Sequence, residues 1–126
     1  MVLDIIKNIA IVGAGSFIGG AARYLVSLMM KGAGKGFPWA TFVVNLVGCF
    51  MIGLLWGLFS RTASEDNNWA LFLSVGLCGG FTTFSTFSKE ALIMLQSGNI
   101  WAFAGYIALS VSTGVALVAL GYYLCR

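Results

Sequence analysis

The sequence predicts an all-α membrane protein of four transmembrane helices, the third of them broken, and three observations carry that prediction. Of 126 residues, 60% are hydrophobic and only 9% are charged, with a mean hydropathy of +0.95. No soluble domain of this size needs so much apolar surface. Three stretches, Trp39 to Ser60, Trp69 to Ser88 and Ile100 to Cys125, contain no charge. Each is close to the roughly 20 residues that a spanning helix requires.

The first helix is expected over about residues 5–30, an apolar stretch that carries Lys7 and Arg23. Its start loosely fits a cleaved signal peptide, with Lys7, an apolar run and Ala21-Ala22. Apolar character resumes through Tyr24–Met30, however, which is too long for such a peptide, so the helix is read as retained. The stretch IAIVGAGSFIGGAAR looks like a dinucleotide-binding turn, but its glycines at 13, 15 and 19 miss the usual spacing. No acidic residue follows about 20 positions later, and no βαβ unit fits in the chain. These glycines are read as helix packing.

The second helix is expected over 39–60, after the sole proline, Pro38, where a missing N–H costs nothing. The third is expected over 69–95 and the fourth over 100–125, joined by a turn near Gln96–Asn99. The other loops, Lys31–Pro38 and Arg61–Asn68, leave no room for an extramembrane domain, so residues 1–126 form one domain. Both termini fall on one side. Gly15/Gly19, Gly53/Gly57 and Gly76/Gly80 are GxxxG pairs that let helix backbones approach closely. Cys49, Cys78 and Cys125 all lie in apolar spans, and the chain has no histidine. Neither a zinc site nor a disulfide framework is expected; the cysteines are read as small buried hydrophobes.

Charge gives almost no orientation bias. One side receives Lys7, Arg61 and Arg126; the other receives Lys31, Lys35 and, near it, Lys89. Such a chain can insert both ways, so fixed orientation and an antiparallel homodimer are both open. Four helices enclose little interior, and transport would require at least a dimer.

Chemistry concentrates in Gly76 to Glu90, GLCGGFTTFSTFSKE. Glycine and hydroxyls are costly in lipid unless they serve a protected site, so the third helix is predicted to break near Gly79–Thr83. An unwound segment frees carbonyl oxygens, hard ligands suited to an alkali cation. Phe81, Phe84 and Phe87 recur every three residues with hydroxyls between them, and ring edges are positive enough to face an anion. Asn45, alone in VVNLVG, reads by itself as interhelical glue of about 0.6 kcal/mol; its functional alternative is a donor replacing water around an anion. Thr41 lies one helical turn earlier. Tyr106, Ser110 and Thr113 form a seam on the fourth helix. Arg23 is either a snorkelling residue near a helix end or an anion-attracting vestibule or interface donor, and the sequence leaves these balanced. Glu90 either closes the third span with Lys89 or accepts hydrogen bonds inside.

GLCGGFTTFSTFSKE, with WATFVVNLVG and GGAARYLV, resembles the Fluc (CrcB) fluoride channels over nearly the whole chain. That resemblance implies a passive fluoride channel in the cell inner membrane, built as an antiparallel, dual-topology homodimer with two pores. It would export fluoride that enters as hydrogen fluoride, relieving toxicity. By the same likeness, Phe84 and Phe87 match pore phenylalanines and Asn45 the pore asparagine. Tyr106, Thr41 and Ser110 match polar pore-lining positions, Ser85 and Thr86 belong to the pore wall, and Arg23 matches a vestibule arginine. Gly79 and Thr82 match residues whose carbonyls hold a structural, non-transported sodium ion. One departure is visible: a hydroxyl present in some relatives falls at Gly114, where Ser112 or Thr113 would have to substitute. No enzyme activity and no nucleic-acid partner are expected. The runner-up is a small dual-topology multidrug exporter, which needs an embedded carboxylate, usually in the first helix; only Asp4 lies there, at the extreme end. A non-transporting scaffold would explain the glycines but not FTTFSTFS.

Overall fold

The computed structural model describes residues 1–32, 36–61 and 67–126. Lys35 and most of the Arg61–Asn68 loop lie outside them. Four helical stretches are long and apolar enough to cross a membrane: Val2–Met29, Trp39–Phe59, Asn68–Gln96 and Ile100–Cys125. Among the described residues there is no strand. The chain is a multi-pass, all-helical membrane protein.

Helix α1 (Val2–Met29) and α2 (Trp39–Phe59) are continuous. The third span is composite: a turn α3 (Asn68–Ala70), a π-helical stretch Leu71–Cys78, a turn α4 (Gly79–Phe81) and then α5 (Phe84–Gln96). Nothing in the local sequence marks the wider π-helical winding. The fourth span is α6 (Ile100–Cys125). Asn67 starts the third span by accepting the Trp69 N–H on its side chain. Helix α5 ends in a paired-hydrogen-bond turn, with Gly98 N–H on the Leu95 carbonyl and Asn99 N–H on the Met94 carbonyl. Gly98 takes a φ of +83°, a conformation glycine adopts freely. Asn99 then caps α6 through the Ala102 N–H, so a single residue closes one helix and opens the next.

Glycine seams set the packing. Helix α2 lies along α6, and α1 lies along the π-helical stretch and α4. A Cβ at Gly15 would stand 2.5 Å from the Phe72 carbonyl oxygen, and one at Gly80 would stand 2.6 Å from that of Ser16. Gly53 meets the Val118 carbonyl, and Gly121 meets that of Phe50. The backbones touch where the GxxxG pairs fall, since only a hydrogen side chain permits it. At one end of the molecule, Arg61 Nη2 donates to the Arg126 carbonyl, so the loop after α2 and the chain's last residue share a side.

The break in the third span falls within the expected Gly79–Thr83 stretch, at its threonine end. Gly79 and Gly80 are helical; the extended residues are Thr82 (φ −87°, ψ 160°) and Thr83 (φ −148°, ψ 122°). Gly80 serves the contact with α1 instead. The break also cuts the phenylalanine triplet: Phe81 ends α4, while Phe84 and Phe87 share α5.

Candidate functional site

The broken span is held by side chains from two other helices. Thr83 caps α5, its Oγ1 accepting the Thr86 N–H at 3.2 Å. The Thr83 N–H donates to Asn45 Oδ1 at 2.8 Å, and Asn45 Nδ2 donates to the Thr83 carbonyl at 3.0 Å. Asn45 therefore grips one residue's backbone at both polar atoms. On the α1 side, Arg23 Nε donates to the Gly80 carbonyl at 3.2 Å.

These diversions release two carbonyls. In a continuous helix the Thr83 N–H would bond to Gly79, and the Thr86 N–H to Thr82. The first goes to Asn45 and the second to Thr83 Oγ1. Gly79 and Thr82 thus present carbonyl oxygens without those helical donors, and both line one cavity. That donor set fits a hard monovalent cation and no soft metal.

Two cavities meet at the break, and Thr83 lines both. One, of 340 Å³, is bordered by Arg23, Ser27, Thr41 and Thr86, with Arg23 the only charged side chain among the described residues that line it. The other, of 410 Å³, is bordered by Asn45, Thr82, Phe84, Phe87 and Ser110, and none of the described residues that line it is charged. Arg23 therefore sits at a polar antechamber, and the neighbouring cavity offers an amide, hydroxyls and ring edges. Uncharged donors of this kind can replace an anion's water without binding it too tightly to leave.

The aromatic residues form a column. Phe87 lies 6.0 Å from Phe84 and 4.9 Å from Tyr106, centroid to centroid, and Phe37 lies 5.3 Å from Tyr106. Tyr106 is 1% exposed, packed with Ala91 and Met94. Its hydroxyl and that of Ser110 are buried without a hydrogen-bond partner. Phe84, by contrast, is 80% exposed. Ser85 is exposed, with its Oγ 3.4 Å from Thr83 Oγ1.

Glu90 belongs to this cluster. It is half-buried in α5, its carboxyl faces the Thr41 and Tyr106 hydroxyls, and its Oε1 is buried without a partner. The sequence left its role open. The available signal was its position three residues after Phe87, which places both on one helix face; Lys89 is exposed. A carboxylate is therefore embedded in the third span, although none lies deep in the first.

The two hydroxyls flanking Gly114 on the N-terminal side bond within α6. Ser112 donates to the Ala108 carbonyl at 2.7 Å, and Thr113 to that of Leu109. Both hydroxyls bond back to their own helix. The space above Gly114 holds Cys49 Sγ, 3.2 Å from where a Cβ would stand. Cys49, Cys78 and Cys125 are all free thiols.

Comparison with known proteins identifies the family. Residues 10–122 match the family model described as CrcB-like protein, Camphor Resistance (CrcB). The chain is 41% identical over 122 residues to a protein of Desulfotalea psychrophila named fluoride-specific ion channel FluC, covering 97% of this chain and 94% of that one. A protein of the same name from Chlorobaculum tepidum is 42% identical over 122 residues, covering 97% of both chains. A third, fluoride-specific ion channel FluC 1 of Yersinia pseudotuberculosis, is 44% identical over 110 residues, covering 87% of each. With the family model spanning residues 10–122 and relatives matching nearly end to end, the chain belongs to the CrcB family.

Proposed function

We propose that this protein is a fluoride-selective passive channel of the cell inner membrane that exports cytoplasmic fluoride. The observation that carries the reading is the near-complete match to relatives named fluoride-specific ion channels. The site supplies a physical route. Arg23 attracts the anion into the polar cavity, and the ion passes Thr83 into the uncharged cavity. There the Asn45 amide, the Ser110 hydroxyl and the edges of Phe84 and Phe87 take the place of water. Tyr106 and Thr41 extend the hydroxyl track toward Glu90, and Ser85 and Thr86 complete the wall.

The same reading makes the working unit an antiparallel, dual-topology homodimer with two pores. The weak charge bias and the 80% exposure of Phe84 beside an uncharged cavity support it. Gly79 and Thr82 of each copy would hold one structural sodium ion through their carbonyls. A sodium ion held there would supply a fixed, untransported positive charge to the Gly79 and Thr82 carbonyls of both copies. Asn45 and Thr83 contribute by keeping the helical N–H donors away from those carbonyls. The multidrug-exporter alternative gains an embedded carboxylate in Glu90, but the family match speaks against it.

Purified protein in liposomes should release fluoride rapidly and chloride slowly, measured with ion-selective electrodes. Folded protein that releases no fluoride would refute the channel.

A further inference from the structure

The two sides of the break are held differently, and the α1 side has a consequence of its own. One face of α1 runs through Gly15, Ser16, Gly19 and Arg23, at helical spacing. Ser16 Oγ donates to the Gly76 carbonyl at 3.3 Å, Gly80 packs on the Ser16 backbone, and Arg23 Nε reaches the Gly80 carbonyl at 3.2 Å. Arg23 is thus the final contact of this seam before the chain unwinds. In a continuous helix the Gly80 carbonyl would accept the Phe84 N–H. The extended Thr82 and Thr83 carry Phe84 away, and the guanidinium takes its place. A half-buried carbonyl within a membrane span needs such a partner.

We propose that Arg23 is a positioning residue for the broken helix, acting through the Gly80 carbonyl, in addition to any charge it lends the antechamber. This inference rests on the channel reading. Nε is used on the backbone, leaving Nη1 and Nη2 for the cavity that Arg23 lines. One side chain therefore serves both the entry of the anion and the geometry of the residues ahead of it. Losing the backbone bond lets Gly80 move, and with it the Thr82–Thr83 link that aims Phe84 and Phe87.

Charge and positioning separate cleanly by substitution. In Arg23→Gln, the amide nitrogen stands at the same place along the side chain as Nε and keeps an N–H donor without charge. In Arg23→Lys the charge is kept, one atom farther out, and the donor at that place is lost. Wild type and both variants, reconstituted in liposomes, are compared for fluoride release per folded protein across fluoride concentrations. Arg23→Gln should keep its maximal flux within about threefold of wild type, with a higher half-saturating concentration. Arg23→Lys should lose about tenfold or more in maximal flux at an unchanged half-saturating concentration, as expected for a lost charge-assisted hydrogen bond. A lysine variant that conducts as well as the glutamine variant at saturating fluoride overturns the proposal. If neither variant folds, Arg23→Ala is assayed with methylguanidinium or methylammonium added. Recovery with methylguanidinium alone supports the positioning role; recovery with both, or with neither, overturns it. A silent wild type refutes the channel reading alone, and the order of thermal stability, glutamine above lysine, then tests the Gly80 bond.

Discussion

Replacing Asn45 with alanine should uncouple conduction from assembly, and the size of the effect follows from two distances. The substitution removes the 2.8 Å bond from the Thr83 N–H and the 3.0 Å bond to the Thr83 carbonyl. Each hydrogen bond contributes about 0.5–1.5 kcal/mol net, so the pair contributes about 1–3 kcal/mol. Both Thr83 groups belong to an extended residue that has left the helix, so the helix itself offers them no replacement partner. The upper part of that range therefore applies. At about 1.4 kcal/mol per decade, a loss of about 3 kcal/mol lowers the ratio of ordered to disordered break roughly a hundredfold. Flux that follows this ratio should fall by about one to two orders of magnitude. The glycine contacts that join α2 to α6 within the chain lie elsewhere and stay intact, so the variant should still fold and elute as the wild type does. The assay is fluoride release from liposomes, with size-exclusion chromatography on the same preparation. An alanine variant that conducts within about threefold of wild type would show that the Thr83 grip does not support the pore.

Phe87→Ile removes the ring lying 4.9 Å from Tyr106 and should cut fluoride release by about tenfold or more; normal release would remove Phe87 from the pore. Gly15→Ala needs about 0.9 Å of added separation to relax its 2.5 Å backbone contact to 3.4 Å, while a Cβ at Gly13 meets nothing within 4 Å. The first substitution should destabilise the protein by about 1–3 kcal/mol in denaturant titration and the second should not; equal effects would deny the α1 seam. Replacing sodium with N-methylglucamine throughout purification should weaken both assembly and fluoride release. Unchanged behaviour would remove the role given to the Gly79 and Thr82 carbonyls.

Much of the architecture was legible in composition because lipid imposes one rule at every position. A span must be apolar for about 20 residues and satisfy its own backbone, which long uncharged runs report directly. The concentration of glycine and hydroxyls at Gly76 to Glu90 marked the break within a few residues for the same reason. The assignment of causes within that stretch was not legible. Glycines and threonines shared the predicted break at Gly79–Thr83; in the structure Gly80 is a packing surface, and Thr82 and Thr83 are the extended residues. Glycine serves a bend and a close approach equally well, and only the neighbouring Ser16 backbone distinguishes them. Asn45 similarly read as glue or as an anion donor, because an isolated amide does not reveal what it faces.

By itself, the sequence determined the number of spans, the glycine seams and the segment in which polar groups gather. Each follows from local cost in hydrocarbon. Tertiary structure alone decided which backbone groups those polar atoms hold. Asn45 and Arg23 lie 38 and 57 residues from their partners Thr83 and Gly80. No local preference records a bond across such separations. It exists because α1 and α2 pack against a helix that cannot complete its own hydrogen bonds at Thr82 and Thr83.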